Sequence, residues 1–178
     1  MTYYGAKNLA ESYRTVRKNT IAIAEEIPAD KYPFRAAPGT MTVGEMLAHL
    51  AAAYQWQKDV HTAHRNSIAF EFFMAARQQT AADEQALAEK GKDAILQALR
   101  ERGETFASFL ESLDEQTLGE TVRFTDPLPA KSRFEMLLGV KEHEMHHRGQ
   151  LMLIQRLLGM VPPLTRARQQ QMQQAAAR

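Results

Sequence analysis

The chain has 178 residues, 44% of them hydrophobic and 24% charged, a net charge of +1 and no cysteine. This is one domain's length with ample material for a core, and the scattered charge leaves no footprint for nucleic acid. Disulfides, thiolate metal ligands and a cysteine nucleophile are excluded, so any metal is held by His, Asp, Glu or water. No apolar run approaches the roughly 20 residues of a membrane span, and Met1-Thr2-Tyr3-Tyr4 does not read as a secretory start. These features imply a cytoplasmic protein with no membrane partner.

Tyr4 to Ile27 reads as a first helix, with Leu9, Tyr13, Val16, Thr20, Ile23 and Ile27 stepping at threes and fours until Pro28 stops it. Pro33, Pro38 and Gly39 make residues 29–40 an extended linker. Thr42-x-x-Glu45 then forms a capping box, which opens a second helix over Val43 to Arg65. Its inward stripe is Met46, Leu50, Ala53, Trp56, Val60 and His64. His49 lies at the stripe's edge and His61 at the surface. Residues 67–80, rich in phenylalanine, read as a short helix or connection packed over the bundle. A further turn or two follows near Asp83 to Lys90.

A third long helix spans Lys92 to Leu113, with Ile95, Leu99, Phe106, Phe109, Leu110 and Leu113 inward. Gly103 weakens it by about 1 kcal/mol relative to alanine. Thr121 to Phe124 could be extended, but one such run does not make a sheet. Ser132-x-x-Glu135 caps a fourth helix, which runs to about Met160, where Gly159, Pro162 and Pro163 end it. Residues 166–178 form a Gln-rich tail, read as frayed helix or disorder outside a 1–165 domain. Four long amphipathic segments and no convincing strand point to an all-α four-helix bundle, and the long connections make a crossover plausible.

One stretch stands apart. His143, His146 and His147 put half of the chain's six histidines within five residues. At about 100° per residue, His147 falls near the centre of the stripe formed by Met136, Val140, Leu151, Ile154 and Leu158, with His143 roughly 45° to one side. The pair is then an i, i+4 couple on the buried face, able to reach one ion at about 2.0–2.1 Å. Two core imidazoles satisfied by neighbouring backbone or carboxylates fit the same spacing. His49, from a facing helix, would supply a third nitrogen and leave a position open to water, the arrangement of a catalytic site. Glu144 adjoins the stripe as a candidate base or orienting group, with a surface or dimer-contact role as its alternative. Gln150 faces the stripe and could hydrogen-bond a ligand or substrate. Tyr13 and Trp56 could line the cavity, although inward aromatics are usually packing.

Two runs carry a family resemblance. Pro33-Phe34-Arg35-Ala36-Ala37-Pro38-Gly39-Thr40-Met41-Thr42-Val43-Gly44-Glu45-Met46-Leu47-Ala48-His49-Leu50 resembles the first signature of the DinB/YfiT-like metalloenzymes. His143-Glu144-Met145-His146-His147-Arg148-Gly149-Gln150-Leu151 is similar to that family's closing motif, whose first and fifth positions bind metal. The resemblance implies a four-helix bundle, often dimeric, holding a divalent ion on His49, His143 and His147. Zinc or nickel suits three imidazoles and water best, with iron or manganese as alternatives. The resemblance also implies an enzymatic role: a thiol-dependent S-transferase using a low-molecular-weight thiol, or a hydrolase, acting on a small-molecule substrate. The alternative is a non-catalytic metal- or small-ligand-binding bundle.

Overall fold

Capping sets where the helices begin. The computed structural model describes residues 4–124 and 129–177. The reading of Met1 to Tyr3 as a non-secretory start and the loop position of Pro127 lie outside the described residues. Helix α1 (Ala6–Glu26) follows the expected register, with Leu9, Tyr13, Val16, Thr20 and Ile23 buried, and Ile27 is buried just beyond it. After a 3-10 turn at Ala29–Lys31, the Thr42/Glu45 box starts α2 (Val43–Ala52). Glu45 N donates to Thr42 Oγ1 at 3.1 Å, and Thr42 N donates to a Glu45 carboxylate oxygen at 2.7 Å. Every α2 residue except Glu45 is buried, so α2 lies at the centre of the fold.

The expected single helix over residues 43–65 is interrupted. A turn at Ala53 and Tyr54 separates α2 from α3 (Gln55–Thr62), while both residues keep right-handed helical dihedrals. Carbonyls in a helix's last turn have no intrahelical partner. Here Arg17 Nη2 donates to the carbonyl of Leu50, in that turn, at 2.9 Å. The expected stripe residue His64 lies past the end of α3, exposed and in the left-handed region at φ +48°. His61, expected at the surface, is 1% exposed. The reason is tertiary: Arg133, which directly follows the last strand of a small sheet, reaches its ring at 3.2 Å.

That sheet corrects the reading of residues 121–124 as an isolated run. Strand β1 (Ser67–Ile68) pairs in parallel with β2 (Thr121–Phe124), which pairs antiparallel with β3 (Lys131–Ser132). The β1–β2 pairing joins residues far apart in sequence, from Ser67 to Arg123, where no local window reveals it. Between β1 and β2 the expected short connection is a continuous 20-residue helix, α4 (Phe70–Glu89), packed along α2. Only Thr80 and Leu87 of α4 are buried, so it lacks the apolar stripe that announces a helix.

Gly91, at φ +80°, turns the chain into α5 (Lys92–Glu111). A short helix α6 (Glu115–Gly119) follows, and the Ser132/Glu135 box opens α7 (Arg133–Leu157). The chain ends in α8 (Pro163–Ala176), which buries no residue. The fold is a helical bundle in which α1 packs on α5 and α7, and α2 packs on α4, α5 and α7. No helix among the described residues is long and apolar enough to cross a membrane.

The core holds two large apolar clusters and a smaller one of Val60, Ile68, Val122 and Met136 beside the sheet. Of the large two, one joins Ile23, Leu47, Ile95, Leu99 and Leu151; the other joins Leu9, Tyr13, Phe106, Leu110 and Leu137. A buried ion pair adds a polar element to this interior: Arg17 Nε and Nη2 reach Glu144 Oε2 at 3.0 and 2.9 Å. The same guanidinium donates to Tyr13 Oη at 2.6 Å and to the Leu99 carbonyl at 3.2 Å. Gly103 makes room for it, because a Cβ there would stand 2.8 Å from Arg17 Cγ. The glycine that weakens α5 locally is therefore required by its neighbour.

Candidate metal centre

Helix α2 carries His49 and α7 carries His143 and His147, and the fold brings all three rings together. His143 Nε2 lies 3.0 Å from His49 Nε2 and 3.1 Å from His147 Nε2. The rings stand nearly perpendicular to one another, at 79°, 84° and 88°. Ligands held about 2.0–2.1 Å from one ion at roughly 90–110° are about 2.9–3.4 Å apart, so the two separations to His143 suit a shared ion, and the three ligand atoms all lie within 4.8 Å of one another.

The outer nitrogens settle the tautomers. His49 Nδ1 donates to Glu84 Oε1 at 2.8 Å, and His147 Nδ1 donates to Gln150 Oε1 at 2.7 Å. With their protons on Nδ1, His49 and His147 each turn an Nε2 lone pair toward His143. One proton on His143 Nε2 can satisfy only one of them. The donor set thus has more lone pairs than protons, which a cation would resolve, and a carboxylate or amide behind each ring is the usual support for a ligating imidazole. Burial, aided by the neighbouring His49 and His147 rings, pushes His143 down to about 4, so at neutral pH it is in the unprotonated form a metal needs. Burial also lowers His147, against the opposing effect of the hydrogen bond it donates to Gln150.

Gln150 takes a supporting place: its Oε1 holds His147, and its Nε2 donates to His146 Nε2 at 3.2 Å. Glu144 does not join the cluster. It is 2% exposed, with Oε2 held by Arg17 inside the bundle, which is neither the surface position nor the dimer contact considered from sequence. Tyr13 is likewise committed to Arg17. Trp56 does line a cavity, of about 270 Å³, that also borders His49, His143, Gln57, Phe73 and Arg77. His147 and Gln150 face a second one, of about 350 Å³, beside Met46 and Ile154. A larger cleft of about 840 Å³ shares Glu84 but none of the three histidines, so the chemistry belongs to the smaller spaces.

Sequence reasoning missed Glu84 and Arg77 on α4, and read Phe73 of the same helix as part of an aromatic patch packed over the bundle. The signal was present: residues 66–90 contain no glycine or proline, and at 100° per residue Phe73, Arg77, Thr80, Glu84 and Leu87 share one face. That face mixes aromatic, cation, hydroxyl and carboxylate, so a search for apolar periodicity passes over it.

Fold and site together define a helical bundle with an inward three-histidine cluster, an arrangement compatible with metal binding. The chain belongs to the DinB superfamily, which it matches over residues 12–151. Among solved structures it is similar to a DinB-like protein from Bacillus subtilis, with a TM-score of 0.62 and 21% identity, over 86% of this chain and 93% of that one. No curated protein matches it.

Proposed function

We propose that the chain is a divalent-metal-dependent enzyme acting on a small molecule at the His49, His143 and His147 centre. The observation that carries this reading is the convergence of three Nε2 atoms, two of them with tautomers fixed from behind, beside an accessible cavity. Three imidazoles with room for water favour zinc or nickel, with iron or manganese as alternatives. An ion held there supplies Lewis acidity, lowering the pKa of a bound water or thiol toward neutrality.

The chain's own residues orient and enclose. Glu84 and Gln150 hold two of the rings, while Trp56 and Phe73 wall the cavity with apolar surface that limits water. The polar side chains on its wall are amide, guanidinium and imidazole. This suits a nucleophile that arrives with a cofactor, such as a low-molecular-weight thiol, better than proton shuttling by a carboxylate. S-transfer to a small electrophile is therefore the preferred reaction class. The reading includes a homodimer, supported by the exposed Leu153 and Leu157, which lie one turn apart on α7.

The test starts with elemental analysis of protein purified without a histidine tag. The expected result is a bound divalent ion that His49→Ala and His143→Ala both abolish; unchanged metal content in these variants defeats the triad. Conjugation assays with glutathione and bacillithiol, beside an esterase and amidase panel, then separate transferase from hydrolase. Bound metal with silence in every assay would indicate a binding module. Sedimentation of Leu153→Glu/Leu157→Glu against the unaltered protein tests the dimer, with a monomer expected from the variant.

A further inference from the structure

Arg77 stands out among the arginines. Arg17, Arg102 and Arg133 each reach a carboxylate, on Glu144, Asp83 and Glu120 respectively. Arg77 has no carboxylate partner among the described residues, yet it is half-buried and lines the cavity that borders His49 and His143. A guanidinium placed beside a site that would hold a second cation is unfavourable unless an anion joins them.

Two further features of this cavity point to a ligand. Gln57 lines it, and its Oε1 is buried with no hydrogen-bond partner among the described residues, an acceptor whose desolvation nothing offsets. On the same lining, Trp56 and Phe73 present an aromatic surface, their ring centroids 5.4 Å apart and edge to face. At about 270 Å³ the space falls just under the roughly 300–1,000 Å³ of drug-sized sites, so its occupant is small.

We infer that this cavity binds a small organic anion, its carboxylate or phosphate on the Arg77 guanidinium and its apolar body against Trp56 and Phe73. Gln57 accepts a hydrogen bond from a donor on the same molecule. The inference deepens the proposed function, since it assigns a substrate class to that site, but anion binding by Arg77 can be measured without turnover and without metal.

Trp56 is the chain's only tryptophan, so its emission reports occupancy of this cavity directly. Metal-loaded and chelator-treated proteins are titrated with phenylacetate, phenyl phosphate and the neutral phenylacetamide, with metal content measured in the same samples. The expected result is a saturable change with at least one anion and binding of phenylacetamide at least about tenfold weaker. The preferred anion decides between carboxylate and phosphate. Arg77→Met should weaken anion binding by at least about tenfold and Arg77→Lys by less, with metal content unchanged in both. Equal binding of the acid and the amide, indifference to Arg77→Met, or no saturable response to either anion overturns the inference. So does a loss of response confined to samples that have also lost metal. Protein that binds no metal but retains an Arg77-dependent anion response upholds the anion site while defeating the metalloenzyme reading.

Discussion

His49 is a ligand candidate because Glu84 stands behind it. Without an acceptor at Nδ1, the proton could sit on Nε2 and block the face turned toward His143. Groups in this position typically change metal affinity about 10–100-fold when removed. Glu84→Ala should therefore weaken metal binding by about that factor while leaving the helical circular dichroism spectrum unchanged, as measured by competition with a chromophoric chelator. An affinity equal to that of the unaltered protein would strip Glu84 of its role.

His61 is the second histidine whose surroundings decide its chemistry. Its Nδ1 faces Arg133, so its proton sits on Nε2, which is buried and unpartnered. Burial first, and the Arg133 charge second, push it down to about 4 from the usual 6.5. Between those values the unfolded chain binds a proton that the folded chain refuses. Stability therefore rises with pH across this window and is lost as the pH falls from about 6.5 through about 4, by on the order of 3 kcal/mol. His61→Gln, which keeps an acceptor for Arg133, should show a smaller fall in urea midpoint from about pH 7 to about pH 4.5. An identical fall would place the acid sensitivity elsewhere.

At the scale of elements, the seam between α1, α5 and α7 rests on one guanidinium. Arg17 ties α1 to Glu144 on α7, to the Leu99 carbonyl on α5 and to the end of α2. Removing one partner of a buried pair strands the other charge, so Arg17→Met should cost about 3–5 kcal/mol in chemical denaturation. Arg17→Met/Glu144→Leu should recover much of that loss, because apolar replacements of similar size commonly match or exceed a buried pair. Gly103→Ala tests the same seam from α5. Helix propensity alone favours alanine by about 1 kcal/mol, but a methyl 2.8 Å from Arg17 Cγ must displace the side chain. Net destabilisation of about 1–3 kcal/mol is expected, and a more stable variant would show that Arg17 yields easily.

At the scale of the whole molecule, the three histidines join the centre of the bundle to α7, since His49 is on α2 and the other two on α7. An ion bound by the folded state alone stabilises it by about 4 kcal/mol at a free concentration a thousandfold above its Kd. Chelation should accordingly lower the thermal midpoint, readdition should restore it, and His49→Ala should be insensitive to both in differential scanning calorimetry. A variant that still gains stability from metal would mean that the ion binds elsewhere.

Local patterns in the chain are enough to set the boundaries and inward faces of α1, α5 and α7, the capping boxes at Thr42 and Ser132, and the candidate status of His49, His143 and His147. Capping and apolar periodicity act within one or two turns, so neighbouring residues suffice to express them. Tertiary structure alone decided the rest. The β1-β2-β3 sheet depends on strands more than fifty residues apart in part of its pairing, from Ser67 to Arg123. Helix α4 sets Glu84 and Arg77 on a mixed face with no apolar stripe to announce it, and the burial of His61 depends on Arg133, 72 residues away. Glu144 read as a site residue by its place beside His143, yet adjacent residues on a helix point about 100° apart. Arg17, distant in sequence but packed against it, drew it into the core.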